Sequence, residues 1–242
     1  MPHSGDITIG DLRSAEPIAR AVSVCRHFDT PDGKLEVLRG VDLEVMPGRM
    51  IAIVGASGVG KSTFLHIFGG LDVPTSGKIF WGDKSPYTLS DEERAHYRNR
   101  AVGFVFQFHH LLPEFTAQEN VALPLIIGGQ TRREALKQAQ AVLFEVGLSQ
   151  RGHHLPGELS GGEQQRAAVA RALVTGAALL IADEPSGNLD RHTAEQLHDF
   201  LGSIARRGDR AVVVATHNRD LASRADEIYT LRDGRLHPGD EN

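Results

Sequence analysis

Met50-Ile51-Ala52-Ile53-Val54 runs directly into Gly55-Ala56-Ser57-Gly58-Val59-Gly60-Lys61-Ser62. The first five residues are apolar without alternation, which suits a short strand buried on both faces. The next eight fit the phosphate-loop pattern G-x-x-x-x-G-K-[ST]. Glycines let such a loop curl until successive N–H groups point inward at phosphate oxygens, and the following helix adds the positive end of its dipole. Gly55, Ala56, Ser57, Gly58, Val59 and Gly60 form the cradle. Lys61 is placed to reach β- and γ-phosphates and Ser62 to ligate Mg²⁺, with Thr63 beside them. This unit predicts nucleotide binding.

Working outward, residues 179–182 and 211–215 are further short apolar runs, separated by helical patterns. Together with 50–54 they predict an α/β P-loop NTPase core with a mostly parallel sheet. Upstream, Leu35, Val37, Val41, Leu43 and Val45 alternate with polar residues, and Pro31-Asp32-Gly33 supplies a turn. That pattern predicts an N-terminal antiparallel β subdomain. Residues 1–17 lack periodicity and read as a flexible tail, leaving 18–242 as a single domain.

Ser90-x-x-Glu93, Thr131-x-x-Glu134 and Ser160-x-x-Glu163 match the capping box of a helix start. Ala135, Leu136, Ala139, Val142, Leu143 and Val146 make one apolar stripe, ended by Gly147; Ala194, Leu197, Leu201 and Ile204 make another, ended near Gly208. The stretch from 90 to 155 reads as helical between two buried strands. It predicts an inserted α-helical subdomain at about 90–160. Asp233-Gly234 reads as a hairpin turn.

Two further stretches carry chemistry. The run 179–182 ends in Asp183-Glu184-Pro185, which suits a metal-holding carboxylate followed by a base at the C-terminal edge of the sheet. Leu159-Ser160-Gly161-Gly162-Glu163-Gln164-Gln165-Arg166 opens a helix with two glycines, each costing about 1 kcal/mol against alanine. A ligand that must approach the backbone closely explains such a break in the local rule.

Composition narrows the choice. The 242 residues hold 26 Lys plus Arg against 31 Asp plus Glu, a formal net charge of -5, so no dominant basic footprint for nucleic acid exists. One cysteine, Cys25, excludes an intrachain disulfide and reads as a small buried residue. No apolar run approaches the length that spans a bilayer, and the first twenty residues lack a signal-peptide core, so a soluble cytoplasmic chain is expected. His109-His110 and His153-His154 lack a suitably spaced third ligand and do not read as a metal site. Arg206-Arg207 reads as serving a helix dipole.

From about 18 to 236 these motifs, in this order, resemble the nucleotide-binding subunit of an ABC transporter. The phosphate loop matches the family's Walker A, 179–183 its Walker B, Glu184 its catalytic glutamate and 159–163 its LSGGE signature. Gln107, after the apolar run 101–106, matches the Q-loop glutamine; Ser186-Gly187-Asn188-Leu189-Asp190 the D-loop; His217 the switch histidine. Phe28 falls where an aromatic ring stacks on adenine.

The resemblance implies ATP as substrate, with Mg²⁺ held by Ser62, Gln107 and Asp183, and Glu184, His217 and Lys61 acting in catalysis. It implies a homodimer formed on ATP binding, with Ser160, Gly161, Gly162 and Glu163 acting in trans and Asp190 at the seam. It also implies integral membrane permease partners docked on the helical segment, at the cytoplasmic face of a bacterial inner membrane. The stretch 106–117, Gly69-Gly70-Leu71-Asp72 and 123–128 are similar to the LolD-type ATPases of lipoprotein-releasing systems. Macrolide-export and cell-division ATPases share parts of it. Phe108, Leu111, Leu112 and Phe115 offer an apolar docking patch, with core packing the alternative for some of them.

Overall fold

The computed structural model describes residues 16–31 and 33–239. Residues 1–15 of the expected tail, and Asp32 of the expected turn, lie outside the described residues. Strands β1 (Ala19–Thr30), β2 (Gly33–Val45) and β4 (Ser76–Trp81) form an antiparallel sheet in the order β2-β1-β4. Strands β3 (Met50–Val54), β5 (Val102–Val105), β6 (Leu179–Asp183), β7 (Ala211–Ala215), β8 (Glu227–Arg232) and β9 (Arg235–Pro238) form a second sheet in the order β5-β6-β7-β3-β8-β9. Its pairs are parallel except β8–β9. That hairpin turns at Asp233 and Gly234, both at positive φ (52° and 75°), as an Asp-Gly turn requires.

The unbroken apolar runs have a simple cause. Ile51, Ile53, Val213 and Ala215 face a core shared with the antiparallel sheet and with Phe64, Leu65 and Phe68 of helix α1 (Lys61–Phe68). Met50, Ala52, Val212 and Val214 face the opposite core, built with Leu197, Leu201 and Ile204 of α6 (Arg191–Arg206). Period-two alternation therefore persists, but both faces are covered, so every position is apolar.

Helix α2 (Asp91–Ala101) leads into β5, so the stretch from 90 to 155 is not wholly helical: it contributes an edge strand to the parallel sheet. A four-residue strand preceded by an 11-residue helix leaves too short an apolar signal to separate from a buried helix end. Beyond it, α3 (Ala117–Ile127), α4 (Arg132–Glu145) and α5 (Gly161–Leu173) pack around a third core containing Val121, Leu125, Ala139 and Leu143. The boxes at Ser90 and Ser160 form reciprocally, and a further box forms at Thr116 with Glu119. At Thr131 the carboxylate of Glu134 takes the hydroxyl instead of the backbone N–H, at 2.7 Å. Gly147 closes α4 at φ 74°, with Leu148 N–H donating to Leu143 O at 2.7 Å. A short α7 (Arg219–Ala222) follows β7. Cys25 is half-buried rather than buried, because β1 is irregular around it, and its Sγ donates to Ser23 O. Arg207 reaches Glu145 on α4 at 2.9 Å, an ion pair in addition to any dipole role.

Candidate active site

Two glycines of the loop between β3 and α1 stand where a side chain cannot go. A Cβ on Gly55 (φ 145°) would stand 2.6 Å from Leu231 O, and one on Gly60 (φ 112°) would stand 2.7 Å from the Val37 side chain. No side chain caps the N-terminus of α1, so its first N–H groups remain available to an anion. Ala56, Ser57, Gly58 and Ser62 are exposed, while Val59 and Thr63 are half-buried. Lys61 is only 8% exposed, and its ammonium donates to Gly55 O at 2.9 Å and Ala56 O at 3.0 Å. The lysine thus lies inside the loop it would share with phosphate.

Across the sheet, β6 ends in Asp183, whose Oδ1 is buried with no hydrogen-bond partner. A buried, orphaned carboxylate oxygen needs a cation or a donor. With the Ser62 hydroxyl it makes the hard oxygen set that Mg²⁺ takes, the remainder coming from phosphate and water. Among the described residues no group of three or more His, Cys, Asp or Glu could hold a metal alone.

Glu184 turns the chain at φ 47°, its N–H donating to Ala215 O at 2.9 Å. Its Oε2 accepts from Thr216 Oγ1 (3.2 Å) and from the His217 N–H (3.3 Å), and its Oε1 lies 2.9 Å from His217 Nδ1. Neighbouring strands β6 and β7 therefore deliver Asp183, Glu184 and His217 to one sheet edge. Thr216, fully buried, escaped the sequence reading; a lone polar residue closing the apolar run of β7 was its signal.

Gln107 follows β5 and lies against the loop 186–190. Its Nε2 donates to Asn188 Oδ1 at 3.5 Å, Asn188 Nδ2 donates to Gln107 O at 3.2 Å, and a Cβ on Gly187 would stand 2.9 Å from Gln107 Nε2. Asp190 caps α6, accepting from Thr193 N–H at 3.1 Å and Thr193 Oγ1 at 2.6 Å, which holds its carboxyl below the usual range. The Glu163 carboxyl is likewise held low, chiefly by the Ser160 N–H at 2.8 Å, then by the Ser160 hydroxyl and Arg151. Ser160 and Gly161 are exposed at the start of α5. The two glycines differ. A Cβ on Gly162 would stand 2.3 Å from Thr193 Cγ2, whereas one on Gly161 meets nothing within 4 Å. Packing within the chain explains Gly162 and leaves Gly161 open to an outside group.

Residues 38–187 match the family model described as ABC transporter. The chain belongs to that family. The lipoprotein-releasing system ATP-binding protein LolD of Geobacter metallireducens is 49% identical over 219 residues, covering 90% of this chain and 97% of that protein. LolD of Bordetella pertussis is 50% identical over 222 residues, covering 92% and 96%. Among solved structures, a dimeric post-hydrolysis state of the ATP-binding cassette MJ0796, bound to ADP and Pi, superposes with a TM-score of 0.84 at 34% identity, covering 91% of this chain and 97% of that one. This ABC chain is an ATP-binding subunit and an ATPase that uses Mg²⁺.

The four apolar residues expected to dock a partner of this ABC subunit divide by exposure. Phe108, Leu112 and Phe115 are exposed, but Leu111 is 7% exposed and packs into the third core, which removes it from the patch. Buried Asn120 shapes the loop: it accepts from Leu112 N–H at 2.7 Å and donates to Leu112 O, Phe115 O and Thr116 O at 3.0, 2.9 and 3.1 Å. Arg171 of α5 donates to His109 O (2.8 Å) and His110 O (2.6 Å), and Gln165 of the same helix donates to Phe106 O at 2.9 Å. Arg171 and Gln165 were not singled out in the sequence because their partners are backbone carbonyls about sixty residues away, and Asn120 because its partners are backbone groups of a loop that matches no local motif. A cleft of about 690 Å³ opens beside them, lined by Arg98, Asn99, Phe104, Phe106, Ile127 and Arg171. No helix among the described residues is long and apolar enough to cross a membrane.

Proposed function

We propose that the chain powers a lipoprotein-releasing complex of the bacterial inner membrane, binding peripherally to permease subunits at the cytoplasmic face. Identity of 49–50% to two LolD proteins, spread over nine-tenths of the chain, carries this reading. In this reading 18–242 is one ABC domain with a helical subdomain inserted at about 90–160, and the permease seats beside Phe108, Leu112 and Phe115.

The chemistry follows from the sheet edge. The loop 55–62 takes the phosphates and Phe28 the base. Ser62 and Asp183, with Gln107 once it leaves Asn188, would hold Mg²⁺, which supplies positive charge against the β- and γ-phosphate oxygens. Lys61 exchanges the carbonyls of Gly55 and Ala56 for phosphate oxygens. Glu184, oriented by Thr216 and His217, takes the proton of the water attacking the γ-phosphorus, and the phosphoanhydride bond breaks toward ADP. His217 adds a donor to the γ-phosphate. Two chains pair head to tail on ATP, so that Ser160, Gly161, Gly162 and Glu163 of one close the site of the other and Asp190 lines the seam. The open space over Gly161 supports that role.

The test is to isolate the tagged chain from detergent-solubilised membranes of its own cells and identify what comes with it by mass spectrometry. Lipoprotein-releasing permeases are expected. A macrolide-export or cell-division permease in their place overturns the lipoprotein reading and leaves the ABC assignment standing.

A further inference from the structure

The ring assigned to the nucleotide base is not free-standing. Arg26 and Phe28 lie two residues apart on β1, and the guanidinium carbon of Arg26 sits 4.6 Å from the centroid of the Phe28 ring. Arg26 Nη2 in turn lies 2.9 and 3.0 Å from the two carboxylate oxygens of Asp72, and Arg26 Nε is buried. The cation is thus held between a carboxylate and one face of the ring. Phe28 remains 39% exposed, so its open face is the other one.

Asp72 is itself anchored. Its Oδ1 accepts from Val73 N–H at 2.7 Å, and its backbone carbonyl accepts from the Tyr87 hydroxyl at 2.6 Å. The same hydroxyl lies against Ile67 O, in the last turn of α1, so its single proton is shared between the two carbonyls. Burial pushes the Tyr87 pKa up, so the hydroxyl keeps its proton. Asp72 N–H and Leu71 N–H both donate to His66 O, at 3.2 and 2.7 Å. Helix α1 begins at Lys61, the phosphate-binding lysine of the reading above. A continuous chain of contacts therefore runs from the far end of the phosphate-loop helix, through Asp72 and Arg26, to the ring on the antiparallel sheet.

We propose that Arg26, braced by Asp72, is a positioning residue that fixes the Phe28 ring as a platform for the base and sets its distance from the phosphate loop. This inference rests on the assignment of Phe28 to the base. A ring locked from behind loses its rotamer freedom before ATP arrives, so less order is lost on binding. The effect falls on the base and spares the triphosphate, whose partners lie in the loop.

The experiment uses the full chain and compares Arg26→Met, Asp72→Asn, Arg26→Lys and Phe28→Ala in steady-state ATP hydrolysis, with inorganic tripolyphosphate as a competitive inhibitor. Arg26→Met and Asp72→Asn should each raise KM for ATP about three- to tenfold, with kcat within about twofold and the inhibition constant of tripolyphosphate unchanged. Arg26→Lys should recover part of the loss. Should Arg26→Met fail to fold, Asp72→Asn carries the same expectation. An unchanged KM in both variants overturns the proposal. So does a lower KM, which would make Arg26 a competitor of the base, and so does an equal change for tripolyphosphate, which would mean general loosening. If Phe28→Ala raises KM while Arg26→Met does not, only the brace fails. If Phe28→Ala leaves KM unaltered, the base assignment fails with it.

Discussion

Glu184 holds a left-handed backbone conformation and receives donors from Thr216 and His217, so its carboxylate is aimed before substrate arrives. Glu184→Gln keeps the shape and loses the base: ATP binding should persist, turnover should fall by about 10² or more, and the ATP-bound dimer should accumulate on gel filtration. Steady-state hydrolysis near wild type would sink the assignment. Thr216→Val removes one of the two donors to Oε2; at about 1 kcal/mol this predicts a kcat several-fold lower with KM for ATP little changed. The phosphate loop, Asp183 and Glu184 were legible because each motif is local, with its chemistry and spacing contained in a few consecutive residues. Thr216, Asn120, Gln165 and Arg171 were not. Gln165 and Arg171 act on backbone carbonyls, and Thr216 on a carboxylate, that only the fold brings near, while Asn120 serves a nearby loop whose shape no local motif announces.

At the scale of elements, α5 begins with two glycines that carry different constraints. Thr193 cannot swing its methyl away from Gly162 without breaking the 2.6 Å bond from its hydroxyl to Asp190. Gly162→Ala should therefore lower the thermal midpoint of the isolated chain, overpacking of about 1–3 kcal/mol outweighing about 1 kcal/mol of helix propensity. Gly161→Ala should leave that midpoint unchanged or slightly raised, while ATPase activity should fall, because in the proposed head-to-tail pair the partner's nucleotide would meet the new methyl group. Calorimetry and turnover measured on both variants separate the two glycines; equal melting shifts would contradict the packing argument. Helices with an apolar stripe and a signed start, α4 and α6, could be read from sequence, and so could the apolar strands β3, β6 and β7. Strand β5 could not, because four residues are shorter than any window in which period two differs from period 3.6.

For the molecule as a whole, acid should act through buried His198 of α6, 1% exposed, whose Nε2 lies 2.8 Å from the Ser186 hydroxyl. Burial, then Arg224, lowers its pKa from the ordinary 6.5. The folded chain binds that proton less well than the unfolded one, so this contribution is complete above about pH 6.5 and declines as pH falls toward the lower folded value. Urea midpoints should fall between pH 7.5 and 5.5, and His198→Gln should flatten that slope; an equal slope in the variant would remove His198 as its cause. Leu112→Asp should spare nucleotide binding yet uncouple hydrolysis from the permease, measured as loss of permease-dependent ATPase in the reconstituted complex. An intact response would place the docking surface elsewhere. The two straps from α5, Arg171 to the carbonyls of His109 and His110 and Gln165 to that of Phe106, join the exposed Phe108 segment to the helix that starts at Ser160. In a head-to-tail pair this wiring is crossed. With the docking surface and the in-trans contacts proposed above, a push on one cassette's docking segment would be felt first at the other cassette's nucleotide, so the two ATP molecules would report on opposite halves of the membrane machine.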